Sequence, residues 1–97
     1  MRVWVDDVRP MPVDFDIWLR TADATINALR IGGVKHLSLD HDLGEEKTGY
    51  DIAKFIEEAA YKKMLAPMTV VIHSANPVGR KNMLVAIKRA EMFWAEQ

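Results

Sequence analysis

The sequence predicts one α/β layered domain with a mainly parallel sheet, and three observations lead there. Stretches of strand character alternate with stretches of helical period, in the order strand, strand, helix, strand, helix, strand, helix. Three of the strand-like runs, residues 3–5, 37–39 and 68–72, are mostly apolar and uncharged until they stop, at Asp6-Asp7, at Asp40-His41-Asp42 and at His73-Ser74. In an open parallel sheet the C-terminal strand ends share one rim, and that rim is where such folds hold ligands. The length of 97 residues suffices for one core and not for two, so residues 1–97 are read as a single domain.

Each element has its own justification. Val3-Trp4-Val5 is β-branched and aromatic, and Arg9, Pro10 and Pro12 turn the chain into a loop after it. Ile17-Trp18-Leu19 is the second strand. A gap of nine residues from Val8 to Ile17 has no room for a helical crossover. An extended loop of that length reaches about 25 Å, enough to bring the second strand back parallel; antiparallel pairing is the other arrangement open. Thr21 then caps a short helix with Ala22, Ile26 and Leu29 on one face, ended by Gly32-Gly33. Val34 and residues 37–39 form the central strand, with His36 before it as a surface residue. Thr48 and Asp51 have the spacing of a capping box for a second helix, whose apolar face of Ile52, Phe55, Ile56 and Ala59 runs to about Lys63. Residues 68–72 read as a strand covered on both faces. Asn76-Pro77 reads as an N-cap with proline at the first helical position, opening a long helix with Met83, Ile87, Ala90 and Trp94 on one face.

Composition excludes whole classes of function. Apolar residues are 49% and charged residues 28% of the chain, an ordinary globular mix. A net charge of −1 supplies no general attraction to nucleic acid or anionic lipid, so phosphate recognition must come from a local patch. The absence of cysteine excludes disulfides, thiolate metal sites and cysteine nucleophiles. No apolar run approaches the roughly 18 residues of a membrane span, and a strand begins where a signal peptide would stand, which makes the cytoplasm the expected address.

The rim residues suggest chemistry. Arg80, Lys81 and Asn82 lie in the first turns of the last helix, where both the dipole and the cations favour a phosphate. Each residue also has a plainer reading. Asp6, Asp7 and Asp42 can be loop or helix-start carboxylates, His73 a core histidine, Ser74 a cap, and Arg9 and Arg20 ion-pair partners. Trp4, Trp18 and Trp94 read as core before they read as a base-stacking platform.

Four motifs carry a resemblance. Asp-Asp followed by Arg-Pro at Asp6 to Pro10, Ser-Leu-Asp-His-Asp-Leu-Gly at Ser38 to Gly44, Thr-Gly-Tyr-Asp at Thr48 to Asp51, and His-Ser-Ala-Asn-Pro-Val-Gly-Arg-Lys-Asn at His73 to Asn82 stand in order. Together they resemble the cyclic-phosphate processing receiver domain, a branch of the receiver fold of two-component signalling. The resemblance implies a receiver-like or flavodoxin-like sandwich of two or three layers, with sheet order 2-1-3-4 and three helices. The first helix and the fifth strand of a receiver, with its lysine, have no counterpart unless Lys81 replaces that lysine. It also implies processing of cyclic phosphates on nucleotides or RNA ends, with the alternatives of a reduced signalling receiver phosphorylated at Asp40 or a non-catalytic binding module. Asp6, Asp7, Asp40 and Asp42 offer enough close carboxylate to call for a cation, Mg²⁺ for an oxygen-only set, with Mn²⁺ or Zn²⁺ open if His41 or His73 joins. His41 and His73 are the expected general base and acid, with Asp40 at the reacting centre. Ser74, Arg80, Lys81, Asn82 and Arg9 are expected around the phosphate. With that connectivity both internal helices fall on one face of the sheet. The other face is then expected to be covered by the last helix crossing over, or by a second copy in a homodimer.

Overall fold

The computed structural model describes residues 1–96. The elements are β1 (Arg2–Val5), β2 (Ile17–Leu19), α1 (Ala22–Ile31), β3 (His36–Leu39), α2 (Gly49–Tyr61), β4 (Thr69–Ile72) and α3 (Pro77–Ala95). The four strands form one sheet in the order β2-β1-β3-β4, and every pairing is parallel. The antiparallel alternative for β2 therefore falls. The extended connection of residues 6–16 carries the chain back along β1, and Val3 pairs with Ile17.

Register decides which side chains face which layer. Val3, Leu37 and Val70 lie side by side, as do Val5, Leu39 and Ile72, and this face meets the helices. The core is completed by Ala22 and Leu29 of α1, Ile52, Ala53 and Ile56 of α2, and Met83, Ile87, Ala90 and Trp94 of α3. The caps form where the side chains predict them. Thr21 Oγ1 accepts from the Ala24 amide, Thr48 and Asp51 close the full capping box, and Asn76 Oδ1 accepts from the Gly79 amide.

Three expectations are corrected. The last helix does not cross the sheet: α3 packs along α2, so the fold has two layers. The buried residues of α3 face α2 and β4, while its apolar Val78, Leu84, Val85 and Met92 are exposed to solvent. β4 is an edge strand with one face open to solvent, Thr69 and Val71 being exposed, so its apolar run is not covered on both sides. His36 is the first residue of β3, half-buried, with its ring edge-on to Phe15.

What covers the second face of the sheet is the β1–β2 connection. Phe15 lies 5.3 Å, centroid to centroid, from Trp4 and 5.6 Å from His36, and the Arg2 guanidinium sits 4.8 Å over the Phe15 ring. Asp16 clamps the strap to β1, accepting from the Arg2 amide at its carboxylate and donating its own amide to the Arg2 carbonyl.

Candidate metal centre and active site

Parallel pairing places the ends of β1, β3 and β4 together, and Asp6, Asp40 and His73 converge there. One ligand atom from each lies within 4.8 Å of the others. Asp6 is 1% exposed, and its Oδ1 accepts from the amides of Val8 and Arg9 at 2.8 Å each. Its other oxygen, Oδ2, faces His73 Nε2 at 3.0 Å. Burial works against the Asp6 charge, but the two amides and the imidazole outweigh it and hold the carboxyl below its usual range. Asp40 is pushed the other way. Burial, reinforced by the charge of Asp6, raises its pKa against the opposing help of the His41 amide, the His73 ring and the Ser74 hydroxyl. Among the described residues no lysine or arginine forms an ion pair with either carboxylate. A buried carboxylate, a half-buried one and an imidazole with no cationic partner among the described residues form a group that could hold a divalent cation.

His73 is held on every side. Its Nδ1 lies 2.7 Å from Ser38 Oγ, its Nε2 faces Asp6, and its ring stacks on Trp4 with centroids 3.9 Å apart and planes within 4°. Its carbonyl accepts from Arg9 Nη1. Neither ring nitrogen is left free for a substrate.

His41 differs. Its Nδ1 lies 2.9 Å from Asp42 Oδ1, and among the described residues its Nε2 has no hydrogen-bond partner. The ring packs against Gly79 in the first turn of α3, where any Cβ would overlap it. Asp42 is exposed, and its hydrogen bond to His41, aided by Asn76, lowers its pKa. The His41 carbonyl accepts from the Gly49 amide, and a Cβ at Gly49 would run into the Asp40 carbonyl. Glycine at 49 thus lets α2 begin against the end of β3.

The remaining expected residues are spread around the rim. Asp7 stands outside the three-residue group; its carboxylate lies over Gly44, whose φ of +69° and lack of Cβ make the approach feasible. Asp42 also stands outside, bound to His41. Ser74 Oγ accepts from the Asn76 amide and its hydroxyl reaches Asp40. Arg80 is drawn back, its Nη1 donating to the Ile72 carbonyl. Lys81 and Asn82 are exposed on α3. Arg20 lies over the Trp18 ring, 3.9 Å from its centroid, and donates to the Asp7 carbonyl.

Sequence reasoning gave Ser38 and Gly79 no role at the site beyond their motifs and read Trp4 first as core. Ser38 had a visible signal, a hydroxyl inside an otherwise apolar strand, since a buried hydroxyl needs a partner. Trp4 had none, because a tryptophan in a strand reads first as core.

No curated protein and no solved structure matches the chain. The family model described as the cyclic-phosphate processing receiver domain matches residues 1–89, which include every strand, α1, α2 and the whole rim. With that match and the 2-1-3-4 parallel sheet carrying Asp6 and Asp40 at adjacent strand ends, the chain belongs to the cyclic-phosphate processing receiver domain family.

Proposed function

We propose that the domain hydrolyses a cyclic phosphate ester on a nucleotide or RNA end, at the rim formed by β1, β3 and β4. The observation that carries this reading is the pairing of two different constellations on one rim: Asp6, Asp40 and His73 as a cation-binding group, and the His41–Asp42 pair beside the start of α3. Asp42 Oδ1 favours the tautomer with the proton on His41 Nδ1, which leaves the Nε2 lone pair available as a general base. In the reaction His41 Nε2 takes a proton from water while the water oxygen bonds to phosphorus. One ester P–O bond then breaks, the released ribose oxygen takes up a proton from solvent, and His41 Nε2 gives the proton it took from water back to solvent. A divalent cation bound at Asp6, Asp40 and His73 would supply positive charge to the phosphoryl oxygens. Ser74 and the start of α3 would receive the phosphate, with Lys81 and Asn82 exposed one turn further on. Arg9 and Arg80 are tied to the carbonyls of His73 and Ile72, so they shape the rim as well as charge it.

The test is hydrolysis of a 2′,3′-cyclic nucleotide and of an oligonucleotide ending in that group, with a divalent cation present. His41→Ala is expected to lower turnover by about 10²–10⁴-fold, the usual contribution of a general base. Unchanged hydrolysis in His41→Ala would remove the base assignment. A stable mass gain from acetyl phosphate, lost in Asp40→Asn, would favour a phosphorylated signalling receiver instead.

A further inference from the structure

We infer that His73 binds the cation directly through Nε2 and that Ser38 is its positioning residue, so the centre takes Mn²⁺ or Zn²⁺ in preference to Mg²⁺. This rests on the cation site proposed above and goes further by naming its third ligand, its supporting hydroxyl and its metal class. Asp6 and Asp40 each bring an oxygen, and the third atom in reach is an imidazole nitrogen, while Asp7 and Asp42 stand aside. Mg²⁺ takes oxygen ligands in near-ideal octahedral geometry, whereas Mn²⁺ and Zn²⁺ accept imidazole readily.

Ser38 makes the change of role possible. Its side chain is buried, the residue being 3% exposed, and its Oγ lies 2.7 Å from His73 Nδ1 on the ring edge away from Asp6. A neutral imidazole has one donor and one acceptor nitrogen, and a hydroxyl can rotate to meet either. Without a cation, Nε2–H donates to Asp6 Oδ2 and the Ser38 hydroxyl donates to Nδ1. With a cation, the Nε2 lone pair faces the metal, the ring proton resides on Nδ1, and Nδ1–H donates to Ser38 Oγ. What changes between the two arrangements is the position of the ring proton, by exchange with solvent. Stacking on Trp4 keeps the ring plane fixed through both. Metal-bound histidines are held in this way by a partner on the far nitrogen, and loss of that partner weakens binding by about 10–100-fold.

The experiment is calorimetric titration of the full chain with MnCl₂, ZnCl₂ and MgCl₂, paired with ¹⁵N-histidine NMR of the ring nitrogens, His73→Gln identifying the His73 signals. In the wild type, Mn²⁺ and Zn²⁺ are expected to bind at least about 10-fold more tightly than Mg²⁺. Zn²⁺ is expected to move the His73 proton from Nε2 to Nδ1. Ser38→Ala is expected to weaken Mn²⁺ and Zn²⁺ by about 10-fold or more and to leave Mg²⁺ nearly unchanged. The wild-type NMR result stands even if that variant folds poorly. Binding that is lost in Asp40→Ala but shows no Mn²⁺ preference and no movement of the His73 proton would overturn this inference and leave the carboxylate site intact. Failure of all three cations to bind, or binding indifferent to Asp40→Ala, would remove the site itself.

Discussion

Asp40 shows how much one residue's environment can be set by its neighbours. Its burial and the charge of Asp6 raise its pKa, so at neutral pH the ionised form costs the fold stability. Asp40→Asn is therefore expected to melt at a higher temperature than the wild type without metal, by no more than about a few degrees because the carboxylate is partly exposed and screened by solvent. Added Mn²⁺ should raise the wild-type Tm and leave the variant nearly where it was; a thermal melt with and without the cation reads both. Asp6 is the contrasting case, since two amides aimed at one of its oxygens leave the other free to turn towards His73. Two adjacent aspartates in sequence, Asp6 and Asp7, consequently have different surroundings, one beside Asp40 and His73 and one over Gly44.

At the scale of elements, the helix starts hold the rim together. The capping box of α2 ties Thr48 and Asp51 to each other's backbone amides, and Gly49 then sets the helix against the end of β3. The Thr48 amide lowers the Asp51 pKa below its usual 3.8, burial working against it and Lys54 adding help. A carboxylate with a lowered folded pKa contributes stability above its unfolded pKa and loses it as pH falls through the folded one. Asp51→Ala is accordingly expected to cost about 1 kcal/mol near neutral pH. The difference from wild type should shrink once the pH drops below the usual carboxylate range, as urea midpoints measured across pH would show.

For the whole molecule, the decisive feature is the strap of residues 6–16. It replaces a helix as the cover on the second face of the sheet, using Phe15 against Trp4 and His36 in place of a third layer. Among the described residues no helix is long and apolar enough to cross a membrane, and the strap leaves less of the sheet for a second copy to cover. The chain is therefore expected to sediment as a monomer, and Phe15→Ala to lose about 1–2 kcal/mol of stability. The same variant should increase acrylamide quenching of tryptophan fluorescence and promote association, because Trp4 and the open face of β4 would then be exposed together. A Phe15→Ala protein with unchanged quenching would show that the strap does not protect this face.

Much of this protein is determined by local sequence. Strand and helix periods, the caps at Thr21, Thr48 and Asn76, and apolar runs that turn ionisable at one end are properties of neighbouring residues, and they establish the parallel α/β fold and its rim. The four motifs are equally local, and the family followed from them. What the tertiary structure alone decided depends on residues far apart in the chain. The packing of α3 beside α2, the open face of β4 and the use of the first loop as a cover depend on which apolar surface is still free after the sheet forms. The division of the carboxylates does too. Asp6 and Asp40 come together because their strands are adjacent, and His73 meets both with its ring held by Ser38 of the neighbouring β3 and by Trp4 of β1. Spacing along the chain placed Asp40, His41 and Asp42 within three positions, but the direction each side chain takes, one towards Asp6 and His73 and two paired with each other, is set by contacts that no local pattern contains.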